Sequence, residues 1–245
     1  MTGPRHTSRK DRFLRDHLLI PGALFAAFAT LAATTTLDPA LAHRWFFDAQ
    51  TGLWWGKDTF WDDELLHRDG RYLMRLVGVA ALVAFAASWW VARLRPWRRA
   101  LGYFAACMAL VPLLVGGLKE LTNVDCPWDL AGFGGDRPFV HLFADRPDGL
   151  PRAACFPGAH SSSAFALFAL YFVGLGLGRR RLALTGLGVA LGLGLVFSFG
   201  QQARGAHFLS HDLWSAFIAW TICFALYRWA FKGRLTDAPA GTLNP

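Results

Sequence analysis

Residues 73–118, LMRLVGVAALVAFAASWWVARLRPWRRALGYFAACMALVPLLVGGL, place two apolar runs on either side of Arg93, Arg95, Arg98 and Arg99. Each run approaches the roughly 20 residues that a helix needs to cross a hydrocarbon core. Four further runs of this kind occur, so the six cover residues 18–37, 73–91, 100–118, 162–177, 182–199 and 209–231. Strand-like alternation of comparable length is absent, which excludes a membrane β-barrel. The predicted fold class is all-α, a polytopic bundle of six transmembrane helices. With 54% hydrophobic and 17% charged residues, the 245-residue chain is too apolar for an ordinary soluble domain.

Short basic loops stay cytoplasmic. Basic residues cluster at Arg5, Arg9, Lys10, Arg12 and Arg15, at Arg93 to Arg99, at Arg179, Arg180 and Arg181, and at Lys232 and Arg234. If every run crosses, all four clusters fall on one side, and both termini lie inside. The formal charge of +8 then faces an anionic leaflet, and no nucleic-acid partner is needed to explain it. The expected organisation is a cytoplasmic segment 1–17, a membrane domain 18–231 and a cytoplasmic tail 232–245, with outer loops near 42–71, 119–159 and 200–208. A rival reading takes residues 18–37 and "ALA" at 40–42 as a cleaved signal peptide. The run is longer than a usual signal core and contains Pro21, and the sidedness of the later helices is the same under either reading.

The outer connections carry the chemistry. In residues 43–71, HRWFFDAQTGLWWGKDTFWDDELLHRDGR, Trp45, Trp54, Trp55 and Trp61 suit an interfacial anchor or a wall beside a lipid site. His67 and Arg71 are candidates to reach such a site. The second connection carries KELTNVDCPWDLAGFGGDRPF from Lys119, broken by glycine and proline, and ends at CFPGAHSSSAF, residues 155–165. Cys107 and Cys223 sit in apolar runs as small core residues. Cys126 and Cys155 share the outer side, where an oxidising compartment allows a disulfide. The third connection is GQQARGAHFLSHDLWSA, residues 200–216. A helix there places Arg204, His207 and His211 on one face and turns Asp212 away. Three segments distant in sequence thus bring Lys119, His160 and the Arg204, His207 and His211 set to one membrane depth.

Such a group suits an oxyanion. Free N–H groups and the positive dipole end at a helix start attract phosphate. Gly158 and Ala159 let it approach the backbone, and Ser161 and Ser162 can donate hydroxyls. Two histidines can then divide the work, one attacking phosphorus and the other protonating the leaving oxygen, with no cofactor required. His207 and His211 as a metal pair lack an HExxH-type context. Haem ligation lacks histidines deep in facing helices, so the expected metal complement is none. The glycines at 174–178 and in TGLGVALGLGL, residues 185–195, read as close-packing positions between the fourth and fifth helices.

Lys119 with Pro127, PGAH at 157–160 and GAHFLSHD at 205–212 resemble the three ordered motifs of the type 2 phosphatidic acid phosphatase superfamily, related to vanadium haloperoxidases. The resemblance spans Lys119 to about Trp214. It implies that His207 forms a phosphohistidine, His160 is the acid, and Lys119 holds the phosphate. The sequence departs from the family at four places. Cys126 and Gln201 stand where the family has arginines, Gly158 and Ala159 stand for Ser and Gly, and His211 stands for the aspartate. Each missing charge-assisted contact is worth roughly 1.5 to 3 kcal/mol, so Arg204 is the first candidate to compensate, then Arg137 and Arg152. His211 is expected to orient the His207 ring, backed by Asp212.

The function expected is that of a bacterial inner-membrane phosphatase with a periplasmic site. It would act on a polyprenyl diphosphate, phosphatidylglycerol phosphate, phosphatidic acid or lipid A. A lipid-to-lipid phosphotransferase and a noncatalytic binder of lipid phosphates are the alternatives. Vanadate-dependent oxidation is disfavoured, since too few cations remain to hold a trianion. Lipid phosphate substrate and membrane lipids are the expected partners.

Overall fold

The computed structural model describes residues 9–231. Residues 1–8, with Arg5, and the tail 232–245, with Lys232 and Arg234, lie outside the described residues. Among the described residues, six helices are long and apolar enough to cross a membrane. In chain order the elements are α1 (Lys10–Thr34), a short α2 (Leu37–Trp45), an antiparallel hairpin of β1 (Phe47–Asp48) and β2 (Leu53–Trp54), α3 (Phe60–Ala87), α4 (Arg98–Thr122), α5 (Ala159–Gly176), α6 (Arg180–Ala203) and α7 (Leu209–Ala230). The chain is a polytopic all-α membrane protein.

Burial ranks the helices. In α5, 61% of the most apolar window is buried, against 11% in α1 and 17% in α3, so α5 is the axis around which the others pack. Its Phe165, Phe168 and Phe172 join Tyr103, Val111, Phe197, Phe224 and Tyr227 in one core. Small residues let α6 approach. A Cβ on Gly174 would lie 2.3 Å from the Ala183 nitrogen, and one on Gly194 would lie 2.1 Å from the Phe165 ring. Gly188 and Gly192 have nothing within 4 Å, so the glycine-rich stretch serves close packing on one face only. The first apolar run is part of this bundle. Phe25 stacks on Phe217 at 4.1 Å, His17 reaches the Tyr171 hydroxyl at 2.8 Å, and Trp220 donates its indole N–H to the His17 carbonyl. Leu24, Leu76, Leu113 and Leu195 project outward, as a hydrocarbon solvent requires.

Two helices begin earlier than their apolar runs suggest. The first starts by Lys10, before residue 18, and α3 starts at Phe60 with a π-helical stretch Phe60–Asp69. The outer loop expected over 42–71 therefore ends at residue 59, and His67 and Arg71 stand on a helix. Hydropathy missed this stretch because five of the ten residues of FWDDELLHRD are charged.

A lid of loops covers one end of the bundle. Phe47, Trp54, Leu130, Phe133 and Phe208 form its own apolar cluster. Trp54 is 4% exposed and donates its indole N–H to the Phe133 carbonyl, whereas Trp45 and Trp55 are exposed, so the tryptophans divide between lid core and outer rim. Asp125 binds Arg137 at 2.5 Å and Arg146 at 2.8 Å; these hydrogen bonds raise the pKa of both guanidinium groups. A disulfide joins Cys126 and Cys155, whose Cα atoms are 5.1 Å apart. Asp38 receives the Ser210 amide at 3.1 Å at the start of α7. Burial raises the pKa of its carboxyl, against the pull of its bonds to Ser210.

The disulfide closes 29 residues, a constraint worth about 3.5 kcal/mol in the chain-entropy account. A Cys126→Ser/Cys155→Ser variant is expected to melt lower and to be cut by protease within residues 130–154 under conditions that leave the parent intact. Equal melting and equal resistance would show that the lid does not depend on the bridge.

Candidate active site

The ends of α3, α4, α5, α6 and α7 meet beneath the lid. Their arrangement turns on Gly205. α6 stops at Ala203, Gly205 adopts φ +77°, and the amides of Ala206 and His207 fold back onto the Gln201 carbonyl at 2.9 and 3.2 Å. Trp54 occupies the space beside Gly205, where a Cβ would lie 2.4 Å from its ring. A side chain there is excluded both sterically and by the left-handed backbone.

This break corrects the expected helical face. His207 lies in the turn before α7, while His211 and Asp212 lie in its first turn. His207 Nδ1 is 2.8 Å from Asp212 Oδ1, so Asp212 is not turned away, and the ring's partner is the residue at i+5. Ser161 donates its hydroxyl to the same carboxylate oxygen at 2.7 Å, and the Gln202 amide donates to the other at 3.2 Å. A carboxylate surrounded by donors accepts from each. His207 therefore carries its proton on Nδ1, and Nε2 keeps a free lone pair.

His211 does not take the carboxylate's place. Its Nδ1 has no hydrogen-bond partner among the described residues, and its ring centroid lies 6.0 Å from that of His207, edge-on to Phe156. Its carbonyl accepts the Gly158 amide at 3.3 Å. As a metal pair with His207 it gains no third ligand, because no group of three or more metal-ligating side chains occurs among the described residues.

The serines are also committed. Ser161, expected to face phosphate, is fully buried on Asp212. Ser162 bonds the Ala159 carbonyl and Ser163 the His160 carbonyl. The first-turn amides of α5, which have no helical acceptors, are the donors left on this segment. Gly158 has a different use. A Cβ there would lie 2.7 Å from Asp212 Oδ1 and 2.7 Å from His207 Cε1, so the absent side chain makes room for the imidazole–carboxylate pair. Ala159 lines the cavity itself.

His160 opens α5. Its ring stacks on Phe197 at 4.5 Å and 13°, and its Nε2 is 3.1 Å from the Leu66 carbonyl. That carbonyl fixes the proton on Nε2, which leaves Nδ1 for another partner. His67 lies 4.9 Å away, ring to ring, and its Nδ1 accepts the Gln201 side-chain amide at 3.0 Å. Gln201 thus uses its amide on an imidazole.

Two adjacent cavities hold these groups. One, of about 400 Å³ under the lid, is lined by Lys119, Arg137, Arg152, Arg204, Gln201 and His207. The other, about 610 Å³, is an apolar groove between α3 and α4 lined by Met74, Gly78, Val79, Leu82, Met108 and Pro112, and it ends at His160 and Ala159. His67, Lys119, Gln201 and His207 line both.

The cations are not equally free. Arg204 is held by Asp63 at 2.9 Å, with Nε and Nη1 buried and without partners among the described residues. Arg137 is tied to Asp125, and Arg152 sits at the exposed rim beside Glu120. The Lys119 side chain makes no hydrogen bond or ion pair among the described residues. Asp63 and Gln202 were not singled out in the sequence. Asp63 and His67 are four residues apart, a helical pairing that shows only once Phe60–Asp69 is read as helix.

A family model described as PAP2 superfamily matches residues 100–235, more than half of the chain. No curated protein and no solved structure matches it.

Because its carboxylate and imidazole neighbours leave no room for a Cβ, Gly158→Ala is expected to lower thermal stability by about 1 to 3 kcal/mol. Gly117→Ala, where nothing lies within 4 Å, is expected not to lower it. Equal melting of the two variants would contradict the packing described at Gly158.

Proposed function

The chain belongs to the PAP2 superfamily, whose function is of phosphatase type, and we propose that here it removes a terminal phosphate from a lipid phosphate or diphosphate through a phosphohistidine at His207. The observation that carries this reading is that the two cavities share His67, Lys119, Gln201 and His207 in their walls. A substrate whose phosphate meets Lys119 and His207 finds apolar walls for its chain between α3 and α4. A soluble phosphate ester would have no use for that groove. Polyprenyl diphosphate, phosphatidylglycerol phosphate, phosphatidic acid and lipid A all share the required chemistry.

The reaction follows from the proton positions. Asp212 holds Nδ1–H, and His207 Nε2 attacks phosphorus while the bond to the leaving oxygen breaks. His160 gives that oxygen its proton; with Nε2–H on Leu66, this acid role falls to a protonated Nδ1 or needs rotation of the ring. Water, deprotonated by His160, then attacks the phosphohistidine and releases phosphate, returning both imidazoles to their starting states. Lys119, Arg204 and the first-turn amides of α5 offset the charge that the two absent motif arginines would meet. Asp63 acts as a positioning residue for Arg204.

A bacterial inner membrane with the site on the periplasmic side and both termini cytoplasmic fits these features. The disulfide lies at the site's end of the bundle, as an oxidising compartment allows, and the arginine-rich turns lie at the other. A noncatalytic lipid-phosphate binder is the second reading. It is favoured by Gln201 in an arginine position and by the Arg204–Asp63 pair.

With purified protein and a labelled lipid diphosphate, free phosphate is the expected product. Label appearing only on an added acceptor lipid would indicate transfer, and no turnover across a panel of the four lipids would favour the binder. Vanadate is expected to inhibit, and chelators to have no effect. Asp212→Asn is expected to lower turnover roughly a thousandfold by freeing the wrong tautomer, measured as phosphate release; a change within twofold would remove Asp212 from the mechanism. Gly78→Leu projects into the groove and is expected to raise KM for long-chain substrates while leaving a short soluble ester unaffected. An equal effect on both would separate the groove from substrate binding.

A further inference from the structure

A third cavity, about 820 Å³, lies at the opposite end of the bundle, between the close of α3, the start of α4 and the close of α7. Its walls are apolar, including Phe85, Tyr103 and Leu226, and its mouth carries Arg95, Arg98 and Arg99 with Trp89 and Trp229. Trp89 is 55% exposed and Trp229 70%, the habit of indoles at the headgroup level of a bilayer.

The three arginines differ. Arg98 donates to the Ser88 carbonyl at 2.5 Å and to its hydroxyl at 3.2 Å, and its guanidinium lies 3.9 Å from the Trp89 ring centre. It fixes the rim and has little left to offer. Arg95 and Arg99 are exposed, and their side chains make no hydrogen bond or ion pair among the described residues. Residues 88–106 and 222–231, which supply most of the lining, contain no Asp or Glu. The need to orient helices accounts for arginine at this end. It does not account for a largely apolar cleft lined by two guanidinium groups that have no partner among the described residues.

We infer that this cleft binds one anionic phospholipid of the leaflet opposite the active site, its phosphate on Arg95 and Arg99 and an acyl chain along the Phe85 and Leu226 walls. Charge complementarity selects the occupant: a zwitterionic lipid brings its own cation to the same place, whereas an anionic one leaves a net negative charge for the two arginines. The site is independent of the phosphate chemistry at His207, and the bound lipid remains intact.

The test uses the full chain reconstituted in nanodiscs of phosphatidylcholine and phosphatidylglycerol at 3:1, released into mild detergent, with retained lipids counted by native mass spectrometry. The parent is expected to keep one phosphatidylglycerol in preference to phosphatidylcholine, and Arg95→Gln/Arg99→Gln to lose that preference by about tenfold. Lys119→Gln, which weakens the headgroup cavity under the lid, is expected to leave it unchanged. Loss with Lys119→Gln but not with the arginine variant would place the lipid in the other cavity and overturn the inference. Equal retention of the two lipids by the parent would overturn it as well.

Discussion

A buried imidazole held against a buried carboxylate is the constraint around which the site is organised. His207 and Asp212 side chains are 2% and 3% exposed, and pairs so far from water persist only when their remaining polar atoms are satisfied. The surroundings meet that demand through Ser161 and Gln202 on the carboxylate and through Gly158, which gives up its side chain to leave room. The left-handed turn at Gly205 ends α6 early enough to swing His207 over the first turn of α7. The lid follows from the same turn, since Trp54 packs on Gly205 and the Trp128 amide donates to its carbonyl.

Much of this architecture could be read in the sequence. Apolar length alone gives six crossings, and the ordered lysine and histidine motifs bring Lys119, His160 and His207 to one end, as found. The cysteine pairing also held, although spacing alone left it open. Local geometry was harder to read, because it depends on one glycine. A regular helix through residues 200–216 puts His211 where the aspartate is needed, whereas a break at Gly205 shifts the phase by one residue and brings in Asp212 instead. Serines were misread for a related reason. A hydroxyl at a helix mouth looks available to a ligand, yet a buried carboxylate nearby claims it first. Asp63 lay hidden because its helix opens with a π-helical stretch rich in charged residues that hydropathy does not read as helix.

The two ends of the bundle differ in chemistry. At the lid end, Arg137, Arg146 and Arg204 are paired with carboxylates and Lys119 lines a cavity, and the disulfide and the Asp125 network hold the cover in place. At the other end, most arginine side chains have no ion pair among the described residues and are rimmed by indoles. A protein crossing a bilayer needs the second pattern to fix its orientation, and the first to bring a charged headgroup to low-dielectric surroundings, where each donor counts for more. On the proposed function, the groove between α3 and α4 lets an amphiphile present its phosphate at the lid end while its chain stays in the membrane.

The central claim is that the Nε2 lone pair left free by Asp212 bonds to phosphorus. Rapid acid-free quenching of the enzyme during turnover of a lipid phosphate labelled in its terminal group, followed by peptide mapping, tests this directly. The account predicts an acid-labile, alkali-stable label on His207 that is absent from the His207→Ala protein, which also fails to release phosphate. Turnover that persists in His207→Ala, with no labelled imidazole in the parent, would contradict it.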